Sequence, residues 1–313
     1  MTGAAAIRAA LVRRGTELAV LLFAISTVLF FLLRLSGDPA AVLAGDEANP
    51  ETVALISARY GLDQPLIVQY WRYMASLVTL DFGESLRANQ AALGLVLERL
   101  GSTLLLACLA LAITAAISVP LGAWLGFRPD ANARKATNAV VFVLQGVPGY
   151  IVGLLLIQLF VVEFRLLPSI GNQGPSSWIL PALTLASFLV PKMVRVVAAN
   201  VSEAMREDYI RTARATGAGE GEILMNHALP NALLGATALI GTQFAFLMSG
   251  SLITEVIFAW PGFGALLVDA VDQLDFPVVQ AAVFVIAVLV ALVNALTDIL
   301  FSLLDPRLRE QGR

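Results

Sequence analysis

Charge is scarce in this sequence: 14% of its 313 residues are Asp, Glu, Lys or Arg, against roughly 25% in an ordinary soluble domain. That scarcity, with 58% hydrophobic residues, excludes an ordinary soluble enzyme. Cys108 is the single cysteine and His227 the single histidine, so an intrachain disulfide framework and a zinc site of the usual Cys/His kind are both excluded. Lysine is nearly absent too. Lys135 and Lys192 follow Arg134 and Pro191, so no Gly-Lys-Ser/Thr phosphate loop exists and the chain cannot hydrolyse ATP itself. A net charge of -3 leaves no basic footprint for a phosphate backbone, and nucleic acid is not expected as a partner.

What is present is a series of long uncharged runs. A charge at mid-bilayer costs at least about 2.5 kcal/mol, so these runs mark the crossings: Leu18 to Leu33, Leu100 to Phe127, Ala136 to Val162, Leu166 to Pro191, Ile223 to Thr254 and Phe276 to Thr297. The expectation is an all-α integral membrane protein with six transmembrane helices. The first run is short, but Arg34 can snorkel to the outer interface. No small-residue cleavage site follows it, so it reads as a retained helix rather than a signal peptide. Fourteen of the 20 basic residues fall on one side if both termini are cytoplasmic, which the positive-inside rule favours.

The predicted organisation is a cytoplasmic N-terminus over 1–15, a first transmembrane helix over 16–35, an outward-facing segment over 36–99, a five-helix core over 100–304 and a cytoplasmic C-terminus over 305–313. Inside the outward segment, Ile67, Tyr70, Trp71, Met74 and Leu77 fall at helical spacing. That stripe suits either a helix on the outer membrane surface or one packing a small external subdomain. The stretch 255–275 has four acids and no base. Its uncharged part, Val256 to Val268, is too short to cross and contains Pro261, Gly262 and Gly264, so a re-entrant or surface-lying segment is expected, an inert hairpin being the alternative. Gly146, Pro148 and Gly149 suit close helix packing, or a cavity. Asn294 and Asp298 share a face near the end of the last run, where capping or helix packing is the expected role.

The polar loop 192–229 is the most informative segment. Val201, Met205, Tyr209 and Ala213 make an i, i+4 stripe, opposed by a charged face of Glu203, Glu207, Arg211 and Arg214 on which Glu207 and Arg211 can pair. Ser202 can cap the start of such a helix, and Gly217 can end it in the left-handed conformation. Pro230 fits the first turn of the next helix. Periodicity alone leaves two roles open, docking to a cytoplasmic partner in the helix-in-groove manner and packing on the chain's own bundle.

This loop resembles the coupling loop of ATP-binding cassette importer permeases, whose pattern is Glu-Ala-Ala, three residues, Gly, nine residues, Ile, one residue, Leu-Pro. Ala213, Gly217, Leu229 and Pro230 keep that pattern here, while Arg211, Thr212 and His227 depart from it. The stretch Tyr209-Ile210-Arg211-Thr212-Ala213-Arg214-Ala215 is similar to the version in the dipeptide, oligopeptide and nickel subfamily. Further landmarks resemble that subfamily's first membrane subunit: Gly37-Asp38-Pro39, Tyr60-Gly61-Leu62-Asp63, Asp81-Phe82-Gly83 with Ser85, Glu255-Val256-Ile257-Phe258, Trp260-Pro261-Gly262-Phe263-Gly264, Asp275 with Pro277, and Leu304-Asp305-Pro306-Arg307. Ser36 and Ser249 stand where proline and glycine are usual.

The resemblance implies a type I importer permease fold in a prokaryotic inner membrane, supplying half of a pathway for a peptide or similar small solute. Nickel chelate, glutathione, opine and oligosaccharide are the alternative cargoes. Implied partners are a homologous second permease, ATPase subunits that carry ATP and Mg, an extracytoplasmic binding protein and membrane lipid; the chain itself binds no cofactor. The ATPase-coupling residues implied are Glu203, Glu207, Asp208, Tyr209, Arg211, Thr212, Ala213, Arg214, Ala215, Gly217, Leu229 and Pro230. Glu255, Phe258, Trp260, Pro261, Gly262 and Gly264 are assigned to the outer gate, near the binding protein. The alternatives from other classes are an ion-coupled secondary transporter, which the scarcity of intramembrane ionisable residues opposes, and a membrane scaffold. An intramembrane serine protease is rejected, since His227 lies more than 20 residues from Ser249 and Ser251, about 30 Å along a helix.

Overall fold

Without strand-forming alternation the charge-free runs fold as helices, and among the described residues the β-structure is one isolated bridge between Glu84 and Ala91. The computed structural model describes residues 3–45, 49–127, 132–168 and 170–304. The fold is all-α. Among the described residues five helices are long and apolar enough to cross a membrane: Val12–Ser36, Ala92–Phe127, Pro175–Ala204, Glu220–Met248 and Phe276–Thr297. The chain divides into two compact units, Met1–Ser102 with Gly262–Ala291, and Thr103–Pro261 with Leu292–Arg313.

In the first unit α1 (Gly3–Ser36) is followed by α2 (Pro39–Ala44), α3 (Pro50–Tyr60) and α4 (Leu66–Thr79). Short polar residues start two of them: Asp38 accepts from the Ala40 amide at 2.9 Å and Asn49 from the Thr52 amide at 2.8 Å, each satisfying an orphan N–H of a first turn. The core gathers Phe30, Leu33, Tyr73, Phe82, Val96, Phe263 and Phe276, with Tyr70, Met74 and Leu77 packed against it. The predicted stripe on α4 is therefore split. Tyr70, Met74 and Leu77 pack inward as a subdomain requires, while Ile67 and Trp71 are 62% and 63% exposed.

The Arg34 guanidinium is held by the segment expected to face outward. It donates to Gln69 Oε1 at 2.5 Å and lies over the rings of Phe30 and Phe276, 5.1 and 4.8 Å from their centroids. Gln69 is itself fixed by donating to the carbonyls of Leu62 and Gln64 at 2.9 and 2.7 Å. A cavity of about 580 Å³ opens beside this group, bounded also by Arg72, Tyr60 and Gln280. In the same unit Asp275 accepts from the Ser85 hydroxyl at 2.5 Å and the Leu86 amide at 3.1 Å, tying the turn before α5 to the start of α14.

The second unit holds most of α5 (Ala92–Phe127), then α6 (Asn132–Gly146), α7 (Gly149–Ile157), α8 (Pro175–Ala204), α9 (Asp208–Ala215), α10 (Glu220–Glu222), α11 (Leu229–Gly250) and α12 (Leu252–Ile257). The first unit takes α13 (Phe263–Asp272), and α5 and α14 (Phe276–Leu304) contribute to both. Single π-helical turns follow α7 at 158–163 and α10 at 223–228. Backbones approach closely where α5 meets α8: a Cβ on Gly126 would stand 2.6 Å from the Ala198 carbonyl oxygen.

The third predicted crossing is not continuous. Pro148 lacks an N–H and turns the preceding residue away from helical geometry, so α6 stops at Gly146 and α7 restarts at Gly149. Among the described residues a Cβ at Gly146 would meet nothing within 4 Å and one at Gly149 would stand in ordinary contact, 3.9 Å from Phe188, whereas one at Gly153 would lie 3.0 Å from Thr184. The fourth run begins its helix at Pro175 rather than Leu166 and continues to Ala204. Cys108 is exposed on α5. The Asp298 side chain and residues 305–313 lie outside the described residues.

Candidate functional site

The helix expected over Val201 to Gly217 is in fact two segments. Val201 and Ala204 are buried, so packing carries α8 through Ser202, which sits inside the helix and caps nothing. The chain then turns through Met205, Arg206 and Glu207, with Arg206 and Glu207 amides donating to the Glu203 and Ala204 carbonyls at 2.9 and 3.1 Å. Only then does α9 begin. Its inward face is Ile210 and Ala213, clustered with Ala204, Ile223 and Ala228, rather than the Tyr209 and Ala213 stripe; Tyr209 is exposed.

The outward face of α9 is polar. Arg211 pairs with Asp208 at 3.1 Å and not with Glu207, because Glu207 falls outside the helix. Arg214 donates to both carboxylate oxygens of Glu220, at 2.7 and 3.1 Å, a bidentate pair that holds the first residue of α10 and raises the already high pKa of the guanidinium. Gly217 has φ +89, the left-handed conformation expected of it, and its amide returns to the Arg214 carbonyl at 3.1 Å while Ala218 returns to Ala213 at 3.1 Å. Glu203, Glu207, Asp208, Thr212, Ala215 and Pro230 are exposed, Ala213 is buried and Leu229 is half-buried. Pro230 occupies the first turn of α11. A cleft of about 480 Å³ lies beside α9, bounded by Tyr209, Thr212, Thr216, Gly217, Glu222 and His227. The Asn231 amide, donating to the His227 carbonyl at 2.8 Å, is a feature sequence reading missed; its i, i+4 spacing was the available signal.

The residues assigned to the outer gate are built in the opposite manner. Glu255 is 0% exposed; its Oε1 accepts from the Thr103 hydroxyl at 2.7 Å and the Ser251 hydroxyl at 3.0 Å. Ser251 is thereby committed as a donor to an acid and is no nucleophile. The Trp260 amide donates to the Glu255 carbonyl at 2.8 Å, and the Gly171 amide to the Phe258 carbonyl at 2.9 Å. Phe258 and Trp260 are each 1% exposed. Pro261 closes this unit, while Gly262 and Gly264 go with α13, Gly262 standing at its N-cap. The alternative of an inert hairpin is thus replaced by a buried corner around one carboxylate.

Known proteins are similar to this sequence along nearly the whole chain. The family model for the binding-protein-dependent transport system inner membrane component matches residues 118–310, and that for the N-terminal region of such membrane components matches residues 7–107. The chain is 36% identical over 287 residues to the glutathione transport system permease protein GsiC of Salmonella paratyphi A, covering 90% of this chain and 92% of that protein. With the protein of the same name from Escherichia coli K12 it shares 34% identity over 304 residues, 95% of this chain and 98% of the other. Among solved structures, the crystal structure of an amino acid ABC transporter with histidines aligns with a TM-score of 0.51 at 18% identity, over 68% of this chain and 94% of that one; this likeness speaks to the fold. The chain therefore belongs to the binding-protein-dependent inner membrane component family, and it is a multi-pass, non-enzymatic permease subunit of an ATP-binding cassette importer.

Proposed function

We propose that this chain supplies half of a translocation pathway, at a pseudo-twofold interface with a homologous second permease, for a small peptide or peptide-like solute such as glutathione. Both termini lie in the cytoplasm in this reading, and an extracytoplasmic binding protein delivers the solute. The α9 helix seats in ATPase subunits that hold ATP and Mg, so that their closure rocks α8 and α11. One observation carries the reading: a short, exposed, ion-paired helix is mounted directly between two long apolar helices, with a buried inner face of Ile210 and Ala213 that fixes it to them. Such an element transmits force because it cannot move without its mounts. The cargo class rests on the glutathione permease relatives and on the peptide-importer resemblance.

The test is to tag the chain, extract it in mild detergent and identify what copurifies in stoichiometric amount. A second permease and ATPase subunits are expected. Recovery alone or as a homo-oligomer, with ATPases absent even after gentle cross-linking, would favour a self-sufficient secondary transporter and reduce α9 to a structural loop.

A further inference from the structure

Lys192 is the one charged residue in α8 between Pro175 and Met193, and it is held in an unusual way. Its Nζ lies 4.1 Å from the centroid of the Phe188 ring and 5.7 Å from that of Phe246, and the two rings stack on each other at 5.4 Å and 20°. Aromatic faces lower the cost of placing an ammonium in an apolar region, but they accept no ordinary hydrogen bond, so its N–H groups stay available. Among the described residues no carboxylate pairs with it. Glu203 is the one acid in α8 and α11 has none; at about 1.5 Å per residue Glu203 is roughly 16 Å farther along the helix.

A second donor stands within a turn of this level. Asn200 donates to the Ala232 carbonyl at 3.0 Å and Phe188 stacks on Phe246, so α8 and α11 run antiparallel in a register that puts Lys192 level with 240–242, less than one turn from Gln243. Gln243 continues, at i+7, i+4 and i+3, the stripe of Ala236, Leu239 and Ile240 that packs on Met193 and Val197 of α8. Its Nε2 is buried and has no hydrogen-bond partner among the described residues. Among the described residues this ammonium and this amide N–H, less than a turn apart, have no acceptor, and an oxyanion would supply one. Phe246 is 47% exposed, which leaves the group open on one side.

We propose that Lys192 and Gln243 bind a carboxylate of the solute in transit, with the Phe188–Phe246 pair as their platform. This rests on the pathway reading above and narrows it, making this chain selective for anionic or carboxyl-bearing cargo. A permanent counter-ion would neutralise Lys192 and make the aromatic platform redundant; a passing one uses the platform between visits.

The test uses the assembled transporter with its binding protein in phosphatidylcholine vesicles and glutathione as the probe. Lys192→Gln is expected to lower uptake about tenfold or more, as loss of a charge-assisted hydrogen bond does, with assembly and basal ATP turnover unchanged, while Lys192→Arg retains uptake. In parallel, ¹³C-dimethylated Lys192, assigned by the resonance that Lys192→Arg removes, should shift on adding glutathione and not on adding its diethyl ester at equal concentration. Undiminished uptake by Lys192→Gln, or a Lys192 resonance indifferent to glutathione, overturns the proposal while leaving the importer reading intact. Zero-length carbodiimide cross-linking of Lys192 to an acid of the second permease without solute overturns it as well, assigning the lysine to an interface. Wild-type vesicles that take up glutathione without ATPase subunits would instead sink the importer reading.

Discussion

The Glu255 corner and the α9 loop of the second unit both use carboxylates, and they use them oppositely. Glu255 is withdrawn completely from solvent and satisfied by hydroxyls from α5 and from the residue that precedes its own helix. Asp208 and Glu220 lie in the open, paired with arginines that are more than 40% exposed themselves. A buried acid is strongly coupled to its surroundings because removing it strands its donors, whereas exposed pairs contribute little to folding. The corner is therefore a fixture, and the loop is a surface whose charges are free to be re-partnered.

That contrast can be broken most directly at the corner. Glu255→Ala should cost about 2–4 kcal/mol by stranding the Thr103 and Ser251 hydroxyls and leaving a void, read as a lowered melting temperature of the detergent-solubilised complex; an unchanged melt would mean that the corner is not a fixture. Gly126→Val tests the helix mount, where the added side chain collides with the Ala198 carbonyl; about 1–3 kcal/mol of overpacking is expected, and thermal denaturation reports it. Gly217→Val forces a β-branched residue to φ +89, a strain of about 1–2 kcal/mol. Here uptake and transporter-dependent ATP turnover should fall together while membrane insertion, scored by protease protection, stays normal. Arg214→Glu sharpens the loop side, since it abolishes the bidentate pair to Glu220 with little change in melting yet should depress coupled ATP turnover. Full coupling in both loop variants would remove α9 from the transmission path.

How far the sequence carried this picture depended on the range of the interactions involved. Uncharged runs revealed the long helices because bilayer insertion is a sum over local residues, and Gly217 and Pro230 were placed by backbone rules of one or two residues. Counting charges, however, says nothing of backbone donors, so Pro148 was read as a packing or cavity element inside an apolar run that it in fact divides. Ser202 looked like a cap because caps are local, but burial of Val201 and Ala204 against distant segments extended α8 past it. The Glu255 corner was half legible: Ser251 sits one turn before it, whereas Thr103 lies 152 residues away and leaves no local trace. Likewise the α4 stripe was visible, but which of its residues meet Phe30 and Leu33 was decided by tertiary packing.

One consequence concerns the first helix and the thickness of the membrane around it. At about 1.5 Å per residue α1 is roughly 51 Å long, more than a hydrocarbon core of about 30 Å requires. Its C-terminal end is clamped, because Arg34 is gripped by Gln69 and lies over Phe30 and Phe276. Nearer its N-terminus it carries an exposed Arg13–Glu17 pair that is free to rise or sink with the headgroups. Hydrophobic mismatch is then absorbed asymmetrically, with the N-terminal turns entering or leaving the lipid as the leaflets thicken or thin, while the subdomain around Arg34 keeps its height.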